Sequence, residues 1–310
     1  MKNFLISPYG ILELLENLNT NAENVYRIEE TNAEKNFDSQ AASEEYETFH
    51  LHAANPIKVS NTLQTDKDLR MHSRLHATAG LSSNETLPNN LTATENEVHT
   101  NLINAVTLNS RWAFNFQKRD THKRIFYTKS NAHYYVDMMR KDDIFPYAKL
   151  EHLNATALEL SLQQSDLKML ILLPNAVNGL AELERKLMED PNLINVIGIN
   201  YLRPTLVRIL LPKFHMLLHI NISTIFMELL QKTFNETVEF EPKIQKFIQK
   251  VHIEVGESGF GEVQKQTVLF WNAHSSVRTT PETFSANHPF LFMIRNHTDI
   301  HFLGHLVNIE

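Results

Sequence analysis

The sequence predicts an α+β protein with large, mostly antiparallel β-sheets. Short β-prone apolar runs separated by turn residues carry most of the signal, and a few stretches show a clear helical stripe. The two types do not alternate regularly, which rules out a doubly wound fold. The chain has 310 residues, 42% hydrophobic and 21% charged, enough to bury one large core, and it shows no internal repeat.

Taken in order, Ser7-Pro8 opens a helix along which Ile11, Leu14, Leu15 and Leu18 recur on one face. Residues 19–47 are acidic, Asn-rich and short of apolar anchors, and read as loop or frayed helix. Residues 57–62 read as a strand. Residues 66–79 read as a helix with Leu69, Leu75 and Ala79 inward and Gly80 as its stop, followed by loop from 81 to 100. Residues 102–109 form an apolar strand, and Trp112, Phe114 and Phe116 alternate as in another. Further strands are predicted at 134–139, 157–160, 168–173 and 207–211, the third ending at the turn Pro174-Asn175 and the last at Pro212. Leu180, Leu183 and Leu187 mark one helix, and Ile222, Ile225, Phe226, Leu229 and Leu230 another. Residues 251–259 read as a strand running into a glycine turn, and two closing strands follow from His288 to the end. Between them lies a long stretch with little sign of regular structure. Such an insert in a compact domain is uncommon, and is usually functional or disordered.

Composition excludes several classes. A net charge of −7, with no Lys/Arg run on an aromatic-studded surface, argues against nucleic-acid binding. The absence of cysteine excludes disulfides, thiol catalysis and thiolate metal sites. The first residues are no signal peptide or membrane helix, because Ser7-Pro8 interrupts them and Glu13 and Glu16 lie where an uncharged core should be. Glycosylation sequons start at Asn84, Asn90, Asn154, Asn221, Asn235 and Asn296, and matter only in a secreted protein. Sixteen histidines invite metal hypotheses, but the pairs His72/His76 and His215/His219 lack a third ligand at useful spacing. His297, His301 and His305 fall in a strand hairpin, too far apart to share an ion. No GxSxG, P-loop or dinucleotide fingerprint occurs, and eight glycines leave little for phosphate cradles. No cofactor, metal site or catalytic residue is expected, so the chain does not read as an enzyme.

Several segments, in order, resemble the serpins, the serine protease inhibitor superfamily. Ser7-Pro8 is similar to the start of that family's second helix, and residues 57–63 to an early strand of its main sheet. Asn104-Ala105 with Trp112 and Phe116, then Val136-Asp137-Met138-Met139, Ala157-Leu158-Glu159-Leu160, Leu172-Leu173-Pro174-Asn175 and Leu211-Pro212-Lys213-Phe214 continue the likeness. Glu254-Val255-Gly256-Glu257-Ser258-Gly259 resembles the start of the reactive loop, and His288-Pro289-Phe290-Leu291-Phe292 and Phe302-Leu303-Gly304 resemble the closing strands. The resemblance implies one domain over residues 1–310, with a reactive loop over about 257–287. It also implies a bait mechanism: a serine protease cuts the loop, which inserts as a new central strand of the main sheet and distorts the attached enzyme.

The hinge departs from the family pattern. Its residues of interest are Glu257, Gly259, Phe260, Glu262 and Lys265. Strand alternation puts Phe260, Glu262, Gln264 and Gln266 on one face and Gly261, Val263, Lys265 and Thr267 on the other. By resemblance the first face turns inward, so Phe260 must fit where a small side chain is usual. Glu262 must be desolvated, and an unpaired buried ion costs several kcal/mol.

Other departures agree. By the resemblance, the family's first helix and its sheet-covering helix are expected to be missing, which would expose apolar sheet surface. Gln249 stands where the sheet-opening region usually has His, with Ser7 and Asn104 as expected partners and Trp112 nearby, and the final residues lack the usual Pro. Counting from Glu257 puts the scissile bond near Ala273-His274. Arg278 is a rival suited to a trypsin-like protease, and Phe270 and Trp271 would suit a chymotrypsin-like one. The resulting expectation is a monomeric, extracellular, serpin-like protein that inhibits weakly or not at all and acts by binding a protein or ligand. The alternative is a working suicide inhibitor of a serine endopeptidase.

Overall fold

Alternating apolar and polar side chains build two sheets around a shared core. The protein is described by a computed structural model over residues 1–20, 56–65, 100–129, 132–163, 165–190, 192–234, 244–261 and 280–309. In chain order its strands are β1 (Phe4–Ile6), β2 (Ile57–Thr65), β3 (Thr100–Leu108), β4 (Ser110–Arg111), β5 (His122–Lys129), β6 (Ala132–Leu150), β7 (Ala155–Ser161) and β8 (Lys168–Pro174). They continue as β9 (Arg203–Pro212), β10 (Phe214–Asn221), β11 (Ile244–Gly256), β12 (Gly259–Phe260), β13 (Glu282–Ser285), β14 (Phe290–Arg295) and β15 (Ile300–Leu306). The α-helices are α1 (Pro8–Thr20), α2 (Leu180–Glu189), α3 (Leu193–Val196) and α4 (Ser223–Phe234).

The main sheet runs β2-β3-β11-β12-β4, with β10 on the other side of β11. The second sheet runs β1-β15-β14-β8-β7-β6-β9-β13, with β5 on β6. Pairing is antiparallel except for β3 with β11 and β9 with β13, so the predicted mostly antiparallel architecture holds. Along β11, Phe247, Gln249, Val251, Ile253 and Val255 are buried while their neighbours are not, and β3 buries Leu102, Asn104, Val106 and Leu108 in step, with Ile103 buried as well. These core faces meet residues of the second sheet such as Met139, Leu158, Ile171 and Phe292 in one apolar cluster.

Structure and expectation differ in places. Residues 112–116 form no strand. Their rings pack together instead, Trp112 on Phe114 at 5.9 Å and Phe114 on Phe145 at 4.9 Å. The loop read as 257–287 is shorter at both ends, since Gly259–Phe260 and Glu282–Ser285 are strands. The outer face of the main sheet is not uniformly apolar. Among the described residues it carries Lys58, Ser60, Thr107, Lys250, His252 and Glu254, with Leu217 its exposed large apolar side chain. His215 and His219 lie on β10. The predicted loop and helix over 19–47, beyond Thr20, and the helix and loop over 66–99 lie outside the described residues.

Candidate functional site

The candidate site is the parallel seam between β3 and β11. Parallel neighbours cannot be joined by a hairpin, and these two are paired from Thr100↔Ile244 to Thr107↔His252. At the upper end the seam is already parted. The turn Gly256-Glu257-Ser258-Gly259 sends the chain back so that Phe260 faces Val255 on β11, while on its other side Phe260 faces Ser110 of β4. Two residues therefore occupy the position of an intervening strand.

Local chemistry explains why this turn closes here. Gly259 has φ +141, and a Cβ there would lie 2.1 Å from the Ser110 carbonyl oxygen, so glycine alone fits. Trp112 N–H donates to the Ser258 carbonyl at 3.1 Å and its indole Nε1 to the Gly256 carbonyl at 2.9 Å. Phe260 is fully buried, its ring 5.0 Å from that of Trp112. The ring that was expected to obstruct insertion is thus already desolvated in an aromatic pocket.

Glu257 anchors the turn from beneath. It is nearly buried, pairs with Lys213 Nζ at 3.0 Å, and accepts a hydrogen bond from Thr121 Oγ1 at 3.1 Å. Burial pushes its carboxyl up, but bonds from Lys213, the backbone and Thr121 outweigh this and hold it below the ordinary glutamate value.

Lower in the seam the sheet is held by polar groups on its core face. Gln249 and Asn104 sit directly opposite one another and are almost fully buried. Gln249 Nε2 donates to Asn104 Oδ1 at 2.8 Å and to the Ser7 carbonyl at 2.9 Å, while Gln249 Oε1 accepts from Ser7 N–H at 2.8 Å. Asn104 Nδ2 donates to the Gly10 carbonyl at 3.1 Å and to Asn61 Oδ1 at 2.8 Å. Ser7 caps α1, accepting from Gly10 N–H at 3.2 Å, and donates through Oγ to the His301 carbonyl at 2.8 Å. The helix start can approach this closely because residue 10 lacks a Cβ, which would lie 2.4 Å from Val106.

The expected residues divide clearly. Ser7, Asn104 and Gln249 meet in one hydrogen-bonded cluster. Glu257, Gly259, Phe260 and Trp112 meet at the turn above it. Glu262, Lys265, Phe270, Trp271, Ala273, His274 and Arg278 lie outside the described residues. Thr121, Lys213 and Gly10 were not singled out from the sequence. Lys213 carries a sequence signal, since it lies in the motif Leu211-Pro212-Lys213-Phe214, but its pairing with Glu257 joins residues far apart in the chain. Among the described residues no three His, Asp or Glu side chains are grouped to hold a metal ion, and no helix is long and apolar enough to cross a membrane.

A family model for the serpins (serine protease inhibitors) matches residues 82–309, and the chain belongs to this family. Human serpin B4 is 31% identical over 202 residues, which are 63% of this chain and 51% of the relative, so the chain spans about half the length of the relatives it matches. The crystal structure of Serpin48 from the insect Tenebrio molitor superposes with a TM-score of 0.62 at 22% identity, covering 100% of this chain and 93% of the other. Human thyroxine-binding globulin complexed with thyroxine superposes with a TM-score of 0.56 at 15% identity, covering 82% and 75%. These likenesses establish an α+β serpin fold. Members of the family are mostly inhibitors of serine proteases rather than catalysts, and the fold also serves non-inhibitory members.

Proposed function

We propose that this serpin is a weak inhibitor or a non-inhibitor, working outside the cell by binding a protein or ligand. One observation supports this above the others: the register of β12. Phe260 faces Val255 and Ser110. Continuing two residues at a time down the seam, Glu262 would fall between Ile253 and Leu108, which are buried to within 2% of full. Gln264 would follow between Val251 and Val106, also fully buried. A carboxylate with no partner in that slot costs several kcal/mol, or must first take up a proton. On the opposite face Lys265 would come beside Lys250, a like-charge cross-strand neighbour. Insertion is therefore opposed immediately below Phe260, and slow insertion lets an acylated protease escape.

A second reading, a functional suicide inhibitor, is favoured by the docked position of Gly259 and Phe260, which starts the new strand before any cut. Incubation with trypsin and chymotrypsin, followed by denaturing electrophoresis, separates the two. The expected outcome is cleaved protein without an SDS-stable complex, and little rise in Tm after nicking. Glu262→Thr is expected to raise the Tm of the nicked form. A covalent complex formed by the wild-type chain would reject the proposal.

A further inference from the structure

Among the described residues, every sheet edge but one is short or charged. The edge strands are β1, β2, β4, β5, β10 and β13. Of these, β1, β4 and β13 have three, two and four residues. Strand β2 carries Lys58, and β5 carries Lys123, Arg124 and Lys129. The exception is β10, Phe214–Asn221, which has eight residues and no Lys, Arg, Asp, Glu or Pro. Among the described residues it pairs with β11 alone. Soluble proteins shield their edges with short strands, charges or proline, because unpaired N–H and C=O groups accept another strand. Along β10 such groups point away from β11 at every second residue. The side chains of its outer face, His215, Leu217, His219 and Asn221, are exposed, Leu217 by 60%. On its core face Leu218 and Ile220 are only partly buried.

We propose that β10 is a homodimer interface, where it pairs antiparallel with β10 of a second copy of this chain and joins the two main sheets into one. This departs from the monomer expected from the sequence. A second copy is the occupant that fits. A strand without Lys, Arg, Asp or Glu brings no such like charges against itself, and it offers no charge pattern by which to select a different partner. The strand is also complementary to itself. In a twofold pairing that continues the sheet, outer residues oppose outer residues, so the axis passes through a residue and not between two. An axis at Leu217 sets that side chain against its own copy. The same register sets His215 against His219, Met216 against Leu218 and Phe214 against Ile220. The exposed leucine then leaves water, and the partly buried Leu218 and Ile220 gain apolar cross-strand neighbours. The contact is isologous and closes at two. It uses neither the β3–β11 seam nor any residue beyond Gly261. Since the copy is rotated by half a turn in the plane of the sheet, the two Gly256–Gly259 turns stand at opposite ends of the joined sheet.

A contact made by one strand is small, so a Kd of about 10–100 μM is expected. Sedimentation velocity over about 1–200 μM should show a concentration-dependent equilibrium of monomer and dimer with no larger species. Leu217→Lys brings two like charges together on the axis and should weaken the dimer about tenfold or more at unchanged Tm. The chain has no cysteine, so the register can be read by disulfide formation. Leu217→Cys should crosslink to its own copy on mild oxidation. His215→Cys should not, because its copy lies about 13 Å away along the strand, beyond disulfide reach. Should Leu217→Lys lower the Tm, the two cysteine variants decide. A monomer throughout the concentration range would overturn the proposal. So would association undiminished in Leu217→Lys at unchanged Tm, open-ended oligomers, or crosslinking of His215→Cys as ready as that of Leu217→Cys.

Discussion

The two ends of the β3–β11 seam are held by different chemistry. At the top an aromatic ring has entered between the strands and rests on Trp112. Lower down, Gln249, Asn104 and Ser7 are joined by directional bonds on the buried face. An apolar wedge needs only volume and dry surroundings. A hydrogen-bonded cluster can part only if every donor and acceptor finds a replacement. The two ends therefore make different demands on any strand that would part them: room for a ring above, replacement hydrogen bonds below.

The largest expected effect comes from breaking the lower cluster. Gln249→Ala removes three bonds and leaves the Ser7 backbone and Asn104 with unmatched buried groups, a loss of about 3–5 kcal/mol. Urea unfolding should show it, and a loss below about 1 kcal/mol would mean the cluster does not hold the seam. At the upper end, Phe260→Ala should cost about 3 kcal/mol, as for other buried aromatic truncations, and should quicken proteolysis at the turn. If the ring were undocked, the change would be nearly neutral.

His301 sharpens the contrast with an opposite sign. It is buried beside Tyr9, with ring centroids 4.8 Å apart, and neither ring nitrogen has a hydrogen-bond partner among the described residues. His301→Leu should stabilise the protein by about 1 kcal/mol at neutral pH. Burial also holds the imidazoles of His301 and His288 below the ordinary histidine value. The unfolded chain then binds protons first, so stability is full above about pH 6.5 and falls as pH drops toward the depressed folded values. The His301→Leu variant should lose less over that window.

Lys213→Ala tests the support beneath the turn. Lys213 is 40% exposed, so screening limits the loss to about 1 kcal/mol. Because the Glu257 carboxyl is held low in the fold, that contribution is present above the ordinary glutamate value and fades as pH falls through the folded one. The smallest effect is expected away from the seam. Arg208→Ala breaks an exposed pair with Asp142 and should change stability by less than about 0.5 kcal/mol.

Much of this was legible in the residues. The helical stripes at Ile11, Leu14, Leu15 and at Leu180, Leu183, Leu187 are buried as their spacing required. The partners of Gln249 were foreseen from ordered motifs, although the atoms that bond were not. Strands β5 and β10 were missed because exposed charges and histidines dilute their apolar pattern: along β10 the outward residues include His215 and His219. The aromatic run at 112–116 misled for the converse reason. Alternation signals a strand only when the backbone has a neighbour to pair with, and Trp112 finds a single bridge, to Leu162.

By itself the sequence determined the family, the α+β class and the presence of an acidic residue two positions beyond Phe260, because periodicity, motif order and residue identity are local properties. Only the tertiary structure decided that Phe260 is docked between β11 and β4 and that Gln249 is bonded to Ser7. Those facts depend on strand register, which is set by pairing between residues distant in the chain and has no local signature.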